Sequence, residues 1–187
     1  MPSASWLRWQ NERMPRLAEV DGQCAASLVL APPLPNLVDE NLRGYVLLLS
    51  AHFQGFCRDL YTESALVVAS KVRPSLRLLI QAQFTAHLKL DHGNPNLQNL
   101  KADCERFGFL LNLPAVDPLN PARLTDLDHL NKWRNAAAHH ATTPTGTLLS
   151  LAALRGWRNS CDGVAKSLDA IMYTELRRIL KRAPWAP

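Results

Sequence analysis

Ten consecutive residues stand apart chemically from the rest of the chain: Asn131-Lys132-Trp133-Arg134-Asn135-Ala136-Ala137-Ala138-His139-His140. Arginine supplies a permanent cation, and histidine exchanges a proton near neutral pH. Those are the groups that stabilise a developing oxyanion and move a proton in a transition state. Heptad spacing from Leu127 and Leu130 brings Arg134 onto their apolar stripe, followed by Ala137, Ala138 and Ala141. A guanidinium is too costly to leave unpaired in a core, so Arg134 must face a partner chain, a bound anion or a carboxylate. The alanines would let another helix or a phosphate come close. Asn135 and His139 lie four apart on one helix face, which would let Asn135 bond the imidazole and fix its tautomer. Arg134 and His139 are separated by about 140° around an ideal helix. A site using both is therefore easier to build where the segment meets its own copy across a two-fold axis. The structural alternative is an arginine paired with a core carboxylate and a histidine that simply ends a helix.

The elements that must hold this segment are helical, because apolar residues recur at three and four and no long stretch alternates as a half-buried strand would. The first helix, over about Ser5 to Val20, carries Trp6, Trp9, Arg13, Leu17 and Val20 on one side, with Pro15 expected to kink it and Asp21-Gly22 to end it. Pro32, Pro33 and Pro35 make a stiff connector. A long helix from about Leu37 to Lys71 follows, with the stripe Leu42, Tyr45, Val46, Leu49, Phe53, Phe56 and Leu60. Pro74 opens another helix, with Leu76, Leu79, Ile80 and Leu88 as its expected apolar face, up to the turn Asp91-His92-Gly93-Asn94-Pro95. A shorter helix carries Leu97, Leu100, Cys104 and Phe107. The helix bearing Arg134 starts with Asn120 as its expected cap and Pro121 at the first position. After Thr142-Thr143-Pro144-Thr145-Gly146, a last helix from about Leu148 to Lys181 presents Leu151, Leu154, Cys161, Val164, Leu168, Ile171, Leu176 and Ile179. The expected fold class is all-α, a single helical bundle over residues 36–187 with an N-terminal helical extension over residues 1–35.

Composition bounds the function. With 187 residues, 20 % charged and 47 % hydrophobic, the chain suits one domain with a sizeable core. Its longest apolar runs fall far short of the roughly 18 residues a membrane-spanning helix needs. A net charge of +5 permits nucleic-acid binding without demonstrating it. Cys24, Cys57, Cys104 and Cys161 are scattered with no CxxC pair, so neither zinc nor a disulfide framework is indicated. With no secretion signal, a cytoplasmic location is expected. No GxxxxGK[ST], GxGxxG, HExxH, GxSxG or EF-hand loop occurs, and no cofactor is called for. Asp91-His92 reads as a turn rather than a metal site, and His87 and His129 read as surface. Trp6 and Trp9 could stack bases, although an aromatic pair at helical spacing is more often packing. Arg177, Arg178, Lys181 and Arg182 could touch phosphate but read by default as a solvated helix end.

Arg134-Asn135-Ala136-Ala137-Ala138-His139, late in a helix before a turn and a final long helix, resembles the signature of the HEPN superfamily of small α-helical bundles, R-x4-6-H. Leu47-Leu48-Leu49-Ser50-Ala51-His52-Phe53-Gln54-Gly55-Phe56-Cys57-Arg58-Asp59-Leu60 is similar to an early-helix pattern in bacterial members. The resemblance spans about Leu37 to Lys181. It implies metal-independent endoribonuclease activity, as in toxins or defence effectors, with Arg134 and His139 catalytic and Asn135 supporting. His140 could be a further supporting group or merely part of the helix end, and His52 could support the site although it reads by default as a satisfied buried or groove histidine; a homodimer is expected. Many relatives carry an acidic residue where Gln54 stands, and often Gly where His140 stands. The expected function is thus an endoribonuclease acting on RNA, with an antitoxin or other regulatory protein as a candidate partner. The alternative is a catalytically silent module of the same fold that binds a partner protein or nucleotide. A DNA-binding regulator is the weakest reading, since no short helix-turn-helix with a basic recognition helix appears.

Overall fold

The computed structural model describes residues 2–139, 144 and 148–185, and among them every regular element is helical. In chain order these are α1 (Ala4–Arg8), a π-turn (Trp9–Arg13), α2 (Met14–Leu28), α3 (Pro35–Ala69), a 3-10 turn (Pro74–Leu76), α4 (Arg77–Thr85), α5 (Lys89–His92), α6 (Leu97–Cys104), α7 (Asn120–Ala138) and α8 (Leu151–Leu180). None is long and apolar enough to cross a membrane. α3 is the axis: α2, α7 and α8 all pack on it, and α7 also packs along α8. Leu42, Tyr45, Val46, Leu49, Phe53, Phe56 and Leu60 of α3 are all buried, as their spacing requires.

The N-terminal segment runs further than its sequence suggests. α1, the π-turn and α2 form one continuous rod through both Pro15 and Asp21-Gly22. Met14 N–H donates to the Trp9 carbonyl, five residues back, and this widened turn relieves the crowding that the Pro15 ring imposes on the preceding carbonyls. Asp21 does not end the helix because its carboxylate is claimed elsewhere: Arg155 of α8 holds it in a fork, Nε to Oδ1 at 2.9 Å and Nη2 to Oδ2 at 2.7 Å. That ion pair holds the Asp21 carboxyl below its ordinary range, chiefly through the Arg155 hydrogen bond. At the start of the rod, Glu63 accepts from the amides of Ala4 and Ser5, both at 2.9 Å, and Ser3 Oγ accepts from Trp6 N–H. These bonds satisfy donors that a helix start leaves free. Trp9 is fully buried, edge-on to Phe53, and its indole donates to Asp162 at 2.8 Å. The tryptophan pair is core packing.

Two further expectations need correction. The face Leu76, Leu79, Ile80 and Leu88 does not exist as one surface, because α4 ends at Thr85 and Leu88 is buried separately. Leu79 is 65 % exposed and Leu78 80 % exposed, and no residue of α4 is buried. Asn120 does not cap α7. It sits inside the first turn, fully buried, donating to the Leu113 carbonyl at 2.8 Å and to Ser167 Oγ at 3.0 Å. No side chain caps α7; Asp117 makes an Asx turn ahead of it, accepting from Leu119 N–H at 2.9 Å. The cysteines are all free and buried, and burial raises every thiol, that of Cys104 to about 12.

Helical glycines here divide into two kinds. A methyl group on Gly55 would collide with the Arg13 guanidinium, which lies against α3 and bonds the His52 carbonyl at 2.7 Å and Asp59 at 2.6 Å. Gly44 and Gly156 have open space. Gly44→Ala and Gly156→Ala should each stabilise the protein by about 0.5–1 kcal/mol through helix propensity. Gly55→Ala should instead destabilise by about 1 kcal/mol net, since charge-assisted bonds are lost. Chemical denaturation of the three variants decides this. Asp21 makes a second expectation testable. Its folded pKa lies below the unfolded value of 3.8, so its contribution is present above that pH and is lost as pH falls through the folded value. Asp21→Asn should flatten the fall of melting temperature on the acid side, measured by calorimetry across pH.

Candidate functional site

α7 brings Arg134 to the rim of the bundle because its inward residues are spent before the helix ends. Leu127, Leu130, Trp133, Ala136 and Ala137 are buried against α3 and α8, so the Leu127–Leu130 stripe is covered within the chain. Arg134 is half-buried, while Asn135, Ala138 and His139 are exposed. His139 is the residue at which the helix stops, and its N–H still donates to the Asn135 carbonyl at 3.2 Å. Ala141 and His140 lie outside the described residues.

The surroundings of Arg134 set it apart from the other half-buried arginines. Arg13, Arg43, Arg123 and Arg158 each face a carboxylate, and Arg106 is held by the carbonyls of Phe84, Ala86 and His87. Among the described residues Arg134 has neither kind of partner. Its Nη1 donates at 3.1 Å to Asn135 Oδ1, a neutral amide oxygen. A carboxylate would neutralise the guanidinium; an amide oxygen orients it and leaves its charge in place.

Asn135 therefore serves a different neighbour from the one its spacing suggests. Its Oδ1 also accepts from Asn94 Nδ2 at 3.1 Å, so the carboxamide is turned toward Arg134 and Asn94 rather than toward the His139 ring. Asn94 belongs to the turn between α5 and α6, which side chains pin from several directions. Gln54 of α3 donates through one Nε2 to the carbonyls of Leu90 at 2.7 Å and Gly93 at 3.0 Å. Asp103, fully buried on α6, accepts from the amides of Lys89 and Leu90 at 3.0 Å each. Asn99 donates to the Asn94 carbonyl at 2.8 Å, and Arg58 pairs with Asp91 at 2.9 Å. Gly93 has to be small here, since a Cβ would meet the Asn99 amide nitrogen and the Lys89 carbonyl.

His52 is not brought to this site. Along α3 the residues that meet α7 and its neighbouring turn are Arg43, whose guanidinium sits 5.9 Å from the Trp133 ring centroid, and Gln54. His52 is nine residues from the first and two from the second, about 180° and 200° around the helix. It faces α2 instead, where burial and then the charges of Arg13 and Arg16 hold its pKa below the ordinary histidine value. In the sequence Asn94 is a turn breaker and Gln54 a departure from the family pattern, and nothing in their spacing shows that they meet in one turn, since Gln54 lies off the apolar stripe of α3. His87 and His92 are exposed, and His129 is half-buried. Arg178 pairs with Glu175 on the surface at 2.8 Å.

No protein-family model matches the chain, and no curated protein or solved structure matches it either. The geometry alone carries the functional argument.

Because Arg134 is half-exposed and His139 exposed, neither supports the core. Arg134→Ala and His139→Ala should each change stability by less than about 0.5 kcal/mol. Leu130→Ala, in the fully buried part of the same helix, should cost about 2–5 kcal/mol. Urea titration followed by circular dichroism measures all three.

Proposed function

We propose that the chain is an endoribonuclease of the HEPN type, with Arg134 and His139 as its catalytic pair. The observation that carries this reading is Arg134: an oriented, half-buried guanidinium without a carboxylate among the described residues, five residues before an exposed histidine. A cation held this way is suited to an anionic ligand. In the proposed reaction His139 takes the proton of a ribose 2′-hydroxyl as that oxygen attacks the adjacent phosphorus. Arg134 stabilises the charge on the phosphorane; the bond from phosphorus to the 5′-oxygen then breaks, and that oxygen takes a proton from water to leave as a hydroxyl. Attack from within the substrate needs positioning, proton transfer and charge stabilisation and nothing more. Asn135 acts beside Arg134 rather than on the histidine. The homodimer belongs to the same proposal: two copies meeting at the ends of α7 would bring a second Arg134 and His139 to one groove, offsetting the angular separation within each helix. A regulatory partner such as an antitoxin is the corresponding proposal for control.

Cleavage should survive EDTA, leave a 2′,3′-cyclic phosphate and a 5′-hydroxyl, and stop when a single 2′-deoxy nucleotide replaces the residue 5′ of the cut. Arg134→Ala and His139→Ala should each abolish it. Loss of activity in EDTA, or cutting of the deoxy substrate at the same bond, would falsify the mechanism. Binding of RNA with no cleavage by the unaltered protein would favour the silent module instead.

A further inference from the structure

We infer that Asn94 is a positioning residue of this site, acting on Arg134 through Asn135; the catalytic meaning of that role rests on the nuclease reading. The inference starts from the amide arithmetic at Asn135. A carboxamide offers two acceptor lone pairs on oxygen and two N–H donors on nitrogen. Here the oxygen accepts from two donors, Arg134 Nη1 and Asn94 Nδ2, each at 3.1 Å. Both directions of the oxygen are thus occupied from within the protein, and the Asn135 Nδ2 group is turned away from them. This leaves the Asn135 N–H donors and the remaining N–H donors of Arg134 unspent on that carboxamide oxygen, side-chain donors of the kind that suit phosphate oxygens.

Asn94 decides which way that amide lies. Without it, Asn135 has a single internal donor, from the flexible arginine one residue away, and its two ends differ little in energy. With the amide reversed, the oxygen would face the incoming phosphate and the guanidinium would lose its anchor. The turn carrying Asn94 has the fixity such a role requires. Gln54, Asn99, Asp103 and the Arg58–Asp91 pair hold it to α3 and α6 by bonds to backbone or by ion pairing. Gln54 thereby acquires a function of its own. It anchors the turn by two carbonyls, which an acidic side chain, lacking N–H donors when ionised, could not do.

The test is a double-mutant cycle on the full chain, using Asn94→Ala, Asn135→Ala and the double variant. Single-turnover cleavage at saturating RNA is read beside RNA affinity and melting temperature. Asn94→Ala should slow cleavage by about tenfold to a hundredfold, the scale of a misplaced catalytic group. Affinity should stay within about twofold and melting should be unchanged. In the Asn135→Ala background the same substitution should have almost no further effect, because its target is gone. Equal, multiplicative losses in both backgrounds, or full activity of Asn94→Ala, overturn the inference. A second measurement is independent of catalysis: the side-chain NMR signals of Asn135 Nδ2 and Arg134 Nε should move in Asn94→Ala while the indole signal of Trp9 stays. Unmoved signals overturn the positioning role whether or not the chain cuts RNA. Moved signals in a protein that cuts no RNA overturn the nuclease reading alone.

Discussion

Coverage of α3 on three sides is the constraint from which the rest of the structure follows. A helix packed against α2, α7 and α8 at once has little surface on which an unused polar side chain could rest. Leu42, Tyr45, Val46, Leu49, Phe53, Phe56 and Leu60 satisfy this by being apolar, each burial worth about 1.5–3 kcal/mol. The polar residues left on the helix must then find partners on whichever neighbour they meet. Asp59 meets Arg13, Glu63 meets the first amides of α1, and Gln54 meets the carbonyls of Leu90 and Gly93. Each of these bonds joins α3 to a segment distant in sequence. The polar positions of the central helix therefore fix the N-terminal rod on one side and the α5–α6 turn on the other.

What the sequence reveals follows from the same distinction between periodic and pairwise information. The stripe of α3 is legible because burial repeats with the helix, and so is that of α8 except at Ile179, which is exposed near the helix end; Arg134 and His139 stand out by residue type alone. Pairwise facts were not legible. Nothing near Asp21-Gly22 shows that Arg155, far along the chain, will hold Asp21 and let the helix continue. Nothing near Asn120 shows that Ser167 and the Leu113 carbonyl will bury it as a clamp in place of a cap. His52 lies away from Arg134 for a different reason: its angle around α3 sets it opposite Gln54 and Arg43.

The position of Arg134 and His139 at the end of α7 carries an electrostatic consequence. A phosphate bound at a helix N-terminus is met by free backbone amides and by the positive end of the helix dipole. At a C-terminus the free groups are carbonyls, and the partial charge is negative. Such an end favours the two cations that this segment can carry, and it repels the anion they are proposed to serve. Backbone donors are unavailable there, so every donor offered to a phosphate must come from a side chain, and each must be kept from turning back onto the carbonyls. Asn135 holds the guanidinium of Arg134 in that respect, and Asn94 holds Asn135. On the proposed reading, the polar relay from Gln54 to Arg134 supplies what a donor site at this end of a helix requires, through a short turn that side chains distant from the motif pin in place.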